Sequence, residues 1–433
     1  MKITIIGMDF VGLVNTVGFA EKGHQVFALD SDKKKIAALR RNEVVKNEYK
    51  LEEILAKNDV NIRFTSEYRD SIYDANCLMF CIELKESEPG QLDMAPLYNV
   101  AKEACKYINQ DVTVILRTTV PVGTNRAMKE YMETCLEHKF KVDVVSNPEF
   151  LSQGTAMKDM LTPARIVVGV NTNNAKNVMK ELYKGFDAPL LFVSPESAEL
   201  IKYAANAYLA VKLSYINEIA DLCDKVGADI QQVSFGIGLD QRIGNKYLSS
   251  GVGFGGPGIP QDTRVLQELA KENDVKLSIV NAAYKVNDDR PNALINKISE
   301  ITEGCAGRKF AVLGLSYKGN ADDIRESPAF KVVERLLAED AKVVAYDSVP
   351  STAAAFRKKM KSDQHLTYAL TLDEALKTCD YAIFLNDSEE FKNLTDEQIC
   401  EYMKHPTVFD GKAVLNPNKL PNVTYYAIGK KTR

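Results

Sequence analysis

No apolar run in this chain of 433 residues approaches the roughly 20 residues needed to cross a bilayer. No basic excess is present either, because the formal net charge is −4. The first absence argues against a membrane protein. The second removes the electrostatic footprint of a nucleic-acid binder, since phosphate polymers are held by a surplus of Lys and Arg. The eight cysteines, at 77, 81, 105, 135, 223, 305, 379 and 400, include no Cys-x-x-Cys pair. Neither a metal site nor a disulfide framework is therefore expected, and reduced thiols packed as small hydrophobes fit a cytoplasmic protein. A signal peptide is not expected, because MKITIIGMDFVGL reads as a first strand and turn. With 45% hydrophobic and 26% charged residues, the composition is that of a water-soluble globular protein, and the length calls for two or three cores.

Short unalternating apolar runs punctuate the first 190 residues: KITIIG, QVFALD, CLMFCI, VTVILRT, VDVVSN, ARIVVGV and LLFVS. Such runs suit strands buried on both faces of a parallel sheet. Helical stretches such as VGLVNTVGFAEKG and PLYNVAKEACKYI lie between them, giving βαβ units and a doubly wound α/β fold. Residues 194–227 then hold a 3.6-residue period without a break, which predicts one long helix with Ser194 or Ser197 as its cap and Gly227 at its end. From 309 a second strand-and-helix series begins with KFAVLGLSYK, AKVVAYD, YAIFLND and PTVFDG. The expected architecture is two Rossmann-like doubly wound domains, 1–195 and 301–433, joined by a long central helix and a helical middle domain, 196–300.

GMDFVGL (7–13) follows the first strand and opens a helix, where a dinucleotide fingerprint G-x-G-x-x-G belongs. Gly7 and Gly12 stand at its first and third glycines, but the second is Asp9. That position lets backbone approach a pyrophosphate at the helix N-terminus. A carboxylate there, about 4 Å from a phosphate at an effective dielectric near 20, is repelled by up to about 4 kcal/mol. Asp30 closes the second strand, where an acid holds the ribose hydroxyls of NAD, and Lys33, Lys34 and Lys35 follow it. A second glycine-rich stretch, GVGFGGPGIPQDT (251–263), has almost no side chains and ends near Asp262.

Six blocks in order carry a more specific message: RTTVPVGT, NPEFLSQGTAMKDM, AELIKYAANAYLAVKLSYINE, DQRIG, the glycine loop and GLSYKGNADDIRESPA. Together they resemble the nucleotide-sugar 6-dehydrogenases, most of all the UDP-glucose dehydrogenases, nearly end to end. The resemblance implies an N-terminal NAD domain, a C-terminal UDP-binding domain and a homodimer formed through the helical middle. It implies oxidation of a sugar C6 alcohol to a carboxylate by two NAD through a cysteine thioester, the product usually serving polysaccharide synthesis. Carried over by position, Thr119 lies at the catalytic water, Glu149 is the base for thioester hydrolysis, and Lys202 and Asn206 stabilise oxyanions with support from Asp262. Lys202 and Asn206 are four apart and so share one helix face. Gly7, Val11, Gly12, Asp30, Lys35, Glu83, Thr119, Gln153 and Arg325 take the cofactor positions. Glu149, Phe150, Leu151, Lys202, Asn206, Phe254, Gly255, Tyr317, Lys318 and Lys412 take substrate positions, joined by Arg242 reaching across a dimer.

The pattern breaks where the chemistry is concentrated. In the family the loop runs G-G-x-C-x-P-x-D, and its cysteine is the nucleophile; here that place is Gly258, which can form no thioester. Cys81, at the end of a strand, is the only other thiol worth weighing. Gln153 stands for a glutamate, Glu83 for a threonine, Gln261 for a lysine and Lys412 for an arginine whose forked guanidinium it cannot reproduce. A nucleotide-sugar enzyme of different chemistry, such as an epimerase using bound NAD, is set aside because no Tyr-x-x-x-Lys arrangement stands in the expected place, and two outcomes remain. The chain is an NAD-dependent dehydrogenase impaired in the full reaction, or a non-catalytic UDP-sugar-binding paralogue or regulatory subunit.

Overall fold

The apolar runs become the central strands of two sheets, one in each of two units, Met1–Ala205 and Asn206–Arg433. The computed structural model describes residues 1–43 and 48–430. In the first unit the strands of the large sheet are β1 (Lys2–Ile6), β2 (Gln25–Leu29), β3 (Ile62–Thr65), β4 (Cys77–Phe80), β5 (Val112–Leu116), β6 (Val142–Ser146), β7 (Ile166–Gly169) and β8 (Leu190–Val193). They lie in the order β8-β7-β6-β5-β4-β1-β2-β3. β4 and β5 are buried at every position, which is why they read as continuous apolar runs rather than alternating ones. The ladders from β3 to β6 are parallel. The expectation of an all-parallel sheet fails beyond β6, where β7 joins by one antiparallel bridge, Ser146 to Gly169, and β8 runs parallel to β7. A strand buried on both faces reads alike in either direction, so the sequence carried no sign of the reversal.

The second unit repeats the plan with β9 (Lys309–Leu313), β10 (Lys342–Tyr346), β11 (Leu366–Tyr368), β12 (Tyr381–Phe384), β13 (Thr407–Asp410) and β14 (Thr424–Ala427). All are parallel, in the order β11-β10-β9-β12-β13-β14. Each sheet thus reverses its strand order beside its first strand, the place where doubly wound folds bind nucleotides.

The long helix is continuous from Pro195 to Val226. Ser194, not Ser197, caps it, since its hydroxyl accepts from the Ser197 amide. Gly227 ends it at φ 75°, with its N–H on the Cys223 carbonyl. Within the second unit, Ile216 and Ala220 of this helix and Leu294 and Ile298 of the helix Ser278–Thr302 share one core with Phe310 and Val332. The helical middle is therefore fixed to the second sheet by common apolar burial.

Candidate functional site

β1 ends in a turn that only glycine can make. Gly7 has φ 95°, and a Cβ there would come within 2.6 Å of the Cys81 carbonyl oxygen. A Cβ on Gly12 would come within 1.7 Å of the Gly7 oxygen. Between them Asp9 begins the helix Phe10–Glu21 without capping it. Its carboxylate turns instead to Lys35, with Oδ1 2.6 Å from Nζ, and the same ammonium lies 3.0 Å from Asp30 Oδ2. Asp30 is buried at the end of β2 and also accepts from the amides of Met8 and Asp32, at 2.8 and 2.9 Å. Burial draws the Lys35 pKa down, but the bonds to Asp9 and Asp30 outweigh it and leave it raised. The Asp9 charge, expected to face an anion uncompensated, therefore has a cation at contact distance.

Around this turn, Val11 is half-buried and Glu83 is exposed just beyond β4. The Ile82 amide donates to the Thr118 hydroxyl at 2.8 Å, with Thr119 half-buried next to it. Gln153 is half-buried in the loop after β6. The forced glycine turn at a helix N-terminus and the buried acid at the end of β2 fit an NAD adenosine and pyrophosphate.

Among the described residues of this unit, Glu149 and Lys202 form the most enclosed ion pair. Lys202 Nζ lies 2.8 Å from Glu149 Oε1, with the side chains only 8% and 13% exposed. Burial pushes the Glu149 pKa up. The Lys202 ammonium, the Leu151 amide and the Arg117 guanidinium together hold it below the usual carboxylate value. Phe150 packs beneath cations, with the Arg165 guanidinium 3.7 Å and Lys202 Nζ 5.6 Å from its ring centre. Two residues not singled out from the sequence set this geometry. Buried Arg117 donates to Asn15 Oδ1 at 3.0 Å and to the Pro148 carbonyl at 3.1 Å, fixing the backbone just before Glu149. Glu199 accepts from the amides of Gly123 and Asn125 and from the Ser146 hydroxyl at 2.7, 2.9 and 3.0 Å, anchoring the long helix one turn before Lys202.

In the second unit the glycine loop is clamped along its length. The Gly251 amide donates to Asn217 Oδ1 at 2.7 Å. Asn287 closes on both sides of Phe254, accepting from its amide at 2.7 Å and donating to its carbonyl at 3.1 Å. The Gly256 amide meets the Arg325 carbonyl at 2.9 Å. A Cβ on Gly255 would stand 2.2 Å from the Glu326 oxygen, and one on Gly256 would stand 2.7 Å from the Tyr317 ring. These glycines make way for the 317–326 segment. Gly258 is different. Its φ and ψ are −89° and −74°, open to any residue, and a Cβ there would find only Asn206 Nδ2, at 3.9 Å. The backbone does not demand glycine at 258.

Asn206 Nδ2 donates to Asp262 Oδ2 at 2.5 Å, and Asp262 is buried. Asp262 lies inside the helix that follows rather than at its cap: the helix begins at Ile259, and the Asp262 amide bonds the Gly258 carbonyl in its first turn. Tyr317 and Lys318 are half-buried, and Arg325 forks onto Asp323. Burial pulls the Lys412 pKa down against the attraction of Asp387, and its Nζ lies 3.2 Å from where a Cβ on Gly251 would be. Arg242 is 89% exposed and pairs with Asp240. Cys81 is buried, and burial pushes its thiol up to about 12, so it offers no thiolate.

Known protein families match in this same arrangement. The NAD binding domain of the UDP-glucose/GDP-mannose dehydrogenase family matches residues 1–187, its central domain 196–289 and its UDP binding domain 311–417. The chain belongs to the UDP-glucose/GDP-mannose dehydrogenase family. Among its relatives are the UDP-glucose 6-dehydrogenase YwqF of Bacillus subtilis, 35% identical with all of this chain and 98% of the relative covered. The UDP-glucose 6-dehydrogenase of Rhizobium meliloti is 36% identical over 99% of this chain and all of the relative. Among solved structures, a UDP-glucose dehydrogenase from Pyrobaculum islandicum superposes with a TM-score of 0.90 at 28% identity, covering 99% of this chain and 98% of the other. A family member of this kind is an NAD-dependent nucleotide-sugar dehydrogenase, and the glycine turn and Asp30 described above lie within the residues that match its NAD binding domain. Among the described residues, no helix is long and apolar enough to cross a membrane.

Proposed function

We propose that this family member binds UDP-glucose or a related UDP-sugar and removes hydride from its C6 carbon, but completes the oxidation to a uronate slowly or not at all. The observation that carries the proposal is Gly258, a position without a thiol in a loop otherwise fully braced. A thioester route requires a sulfur nucleophile. Hydride removal requires only orientation and a proton acceptor. NAD, when bound, supplies the hydride acceptor. Glu149, kept ionised by Lys202, is suited to take the proton from the C6 hydroxyl or its hydrated aldehyde, with Thr119 at the water. The Lys202 ammonium and the Asn206 amide stabilise the developing oxyanion, and Asp262 fixes the amide by accepting one of its protons.

Phe150, Leu151, Phe254, Gly255, Tyr317, Lys318 and Lys412 are assigned to the sugar nucleotide. The exposed apolar residues Tyr208, Tyr215 and Leu222, spaced by two helical turns, and exposed Phe235 on the helix Ile230–Gly238 support a homodimer interface through the central helices, with Arg242 reaching the partner's substrate. A second reading, a UDP-sugar-binding subunit without turnover, is favoured by the exposed Glu83 carboxylate just beyond β4. The two readings part on NADH formed per UDP-glucose. About one marks the aldehyde stop and about two the full reaction; none, with UDP-glucose bound in a calorimeter, marks the binding subunit.

A further inference from the structure

We infer that Asp9 sets the choice between NAD and its 2′-phosphorylated form by keeping Lys35 occupied. The inference rests on the NAD reading of the first unit. Three lysines in a row follow Asp30, a sequence suited to receiving a 2′-phosphate, since a nearby cation is what accommodates that group. Lys33 and Lys34 point outward as exposed residues, while Lys35 is half-buried. Only Lys35 is placed against the acid that marks the ribose corner, 3.0 Å from Asp30. It does not stand there as a spare charge. Asp9 holds the same ammonium at 2.6 Å, so two carboxylates share one cation and these three groups sum to one negative charge. A ribose hydroxyl can still donate to Asp30, which needs no cation. A 2′-phosphate brings about two negative charges and meets both a repulsive field and a lysine already paired.

The backbone at residue 9 does not call for a carboxylate. Asp9 begins its helix without accepting any hydrogen bond from it, and glycine is accepted at such a position at a cost of a few tenths of a kcal/mol. The side chain therefore has one visible partner, Lys35, and its effect is electrostatic.

The test titrates the full-length protein with NAD and separately with NADP, by calorimetry. The variants are Asp9→Gly, Asp9→Asn and Asp9→Gly combined with Lys35→Met. In Asp9→Gly, NADP affinity should rise about two- to fivefold more than NAD affinity, the equivalent of one partly exposed charge contact, and added salt should shrink the difference. Asp9→Asn should show the same direction, and the double variant should return the NAD-to-NADP ratio to that of the unaltered protein. An unchanged ratio in Asp9→Gly overturns the inference, as does an equal shift with Lys35 absent. If NAD binds none of these proteins, the cofactor reading beneath the inference fails instead, a result distinct from an unchanged ratio.

Discussion

Restoring a thiol by Gly258→Cys tests the chemistry and the space together. The backbone at 258 is in an ordinary right-handed conformation, and the new Cβ meets nothing closer than 3.9 Å. Losing glycine at a helix start costs a few tenths of a kcal/mol. Narrowing the unfolded chain returns about 0.4–1 kcal/mol. The variant should therefore melt within about 4 °C of the parent. Its sulfur would sit at the N-terminus of the 14-residue helix Ile259–Glu272, whose dipole favours the thiolate, while the Asp262 carboxylate in the same first turn opposes it. The assay follows NADH and uronate at limiting UDP-glucose, with Gly258→Ala as the side-chain control. The cysteine variant should approach two NADH per sugar, about double the aldehyde stop, and the alanine variant should not. If the cysteine variant folds and binds both ligands yet forms no uronate, the missing thiol is not what limits this protein. Loss of several kcal/mol of stability would instead refute the space argument.

Three further outcomes follow from the same geometry. Lys202→Met removes the cation that holds the Glu149 pKa down, so burial should carry it above the usual carboxylate value of about 4.3. In the parent, Glu149 contributes stability that is present above that value and lost as pH falls through its lowered pKa; in the variant, its contribution should instead grow as pH falls through the raised one. Urea midpoints between about pH 3 and 7 read the reversal. Asn206→Ala leaves a buried Asp262 oxygen without its amide partner and should cost about 1–3 kcal/mol, visible in the same unfolding curves. Leu222→Asp together with Phe235→Asp should halve the mass seen by sedimentation if the exposed stripe is the dimer contact, and leave it unchanged otherwise.

The sequence made the central strands and the long helix plain because both are set by burial over several residues in a row. It missed the edge strands β3, β11 and β14. LTY and TYYA each carry an exposed threonine beside tyrosine, and IRFT carries an exposed arginine, so none presents an apolar run. The fingerprint glycines were legible because the turn itself dictates them. Gly255, Gly256 and Gly258 look equivalent on paper, and only the positions of Glu326, Tyr317 and Asn206 separate two enforced glycines from one that is not. Partners far apart in the chain were also hidden: Asp9 meets Lys35 because β1 lies beside β2, and no local pattern announces it. Asn217 left a trace that could have been followed. It is a buried polar residue in the apolar phase of the long helix, which is the mark of a side chain recruited to brace something else.

The central claim, a braced sugar-nucleotide site without its sulfur nucleophile, is tested most directly by the end-point count of NADH per molecule of UDP-glucose consumed by the unaltered protein. The account predicts a ratio of no more than about one as the first oxidation levels off, with uronate formed far more slowly or not at all. A ratio of two with uronate as product would contradict it.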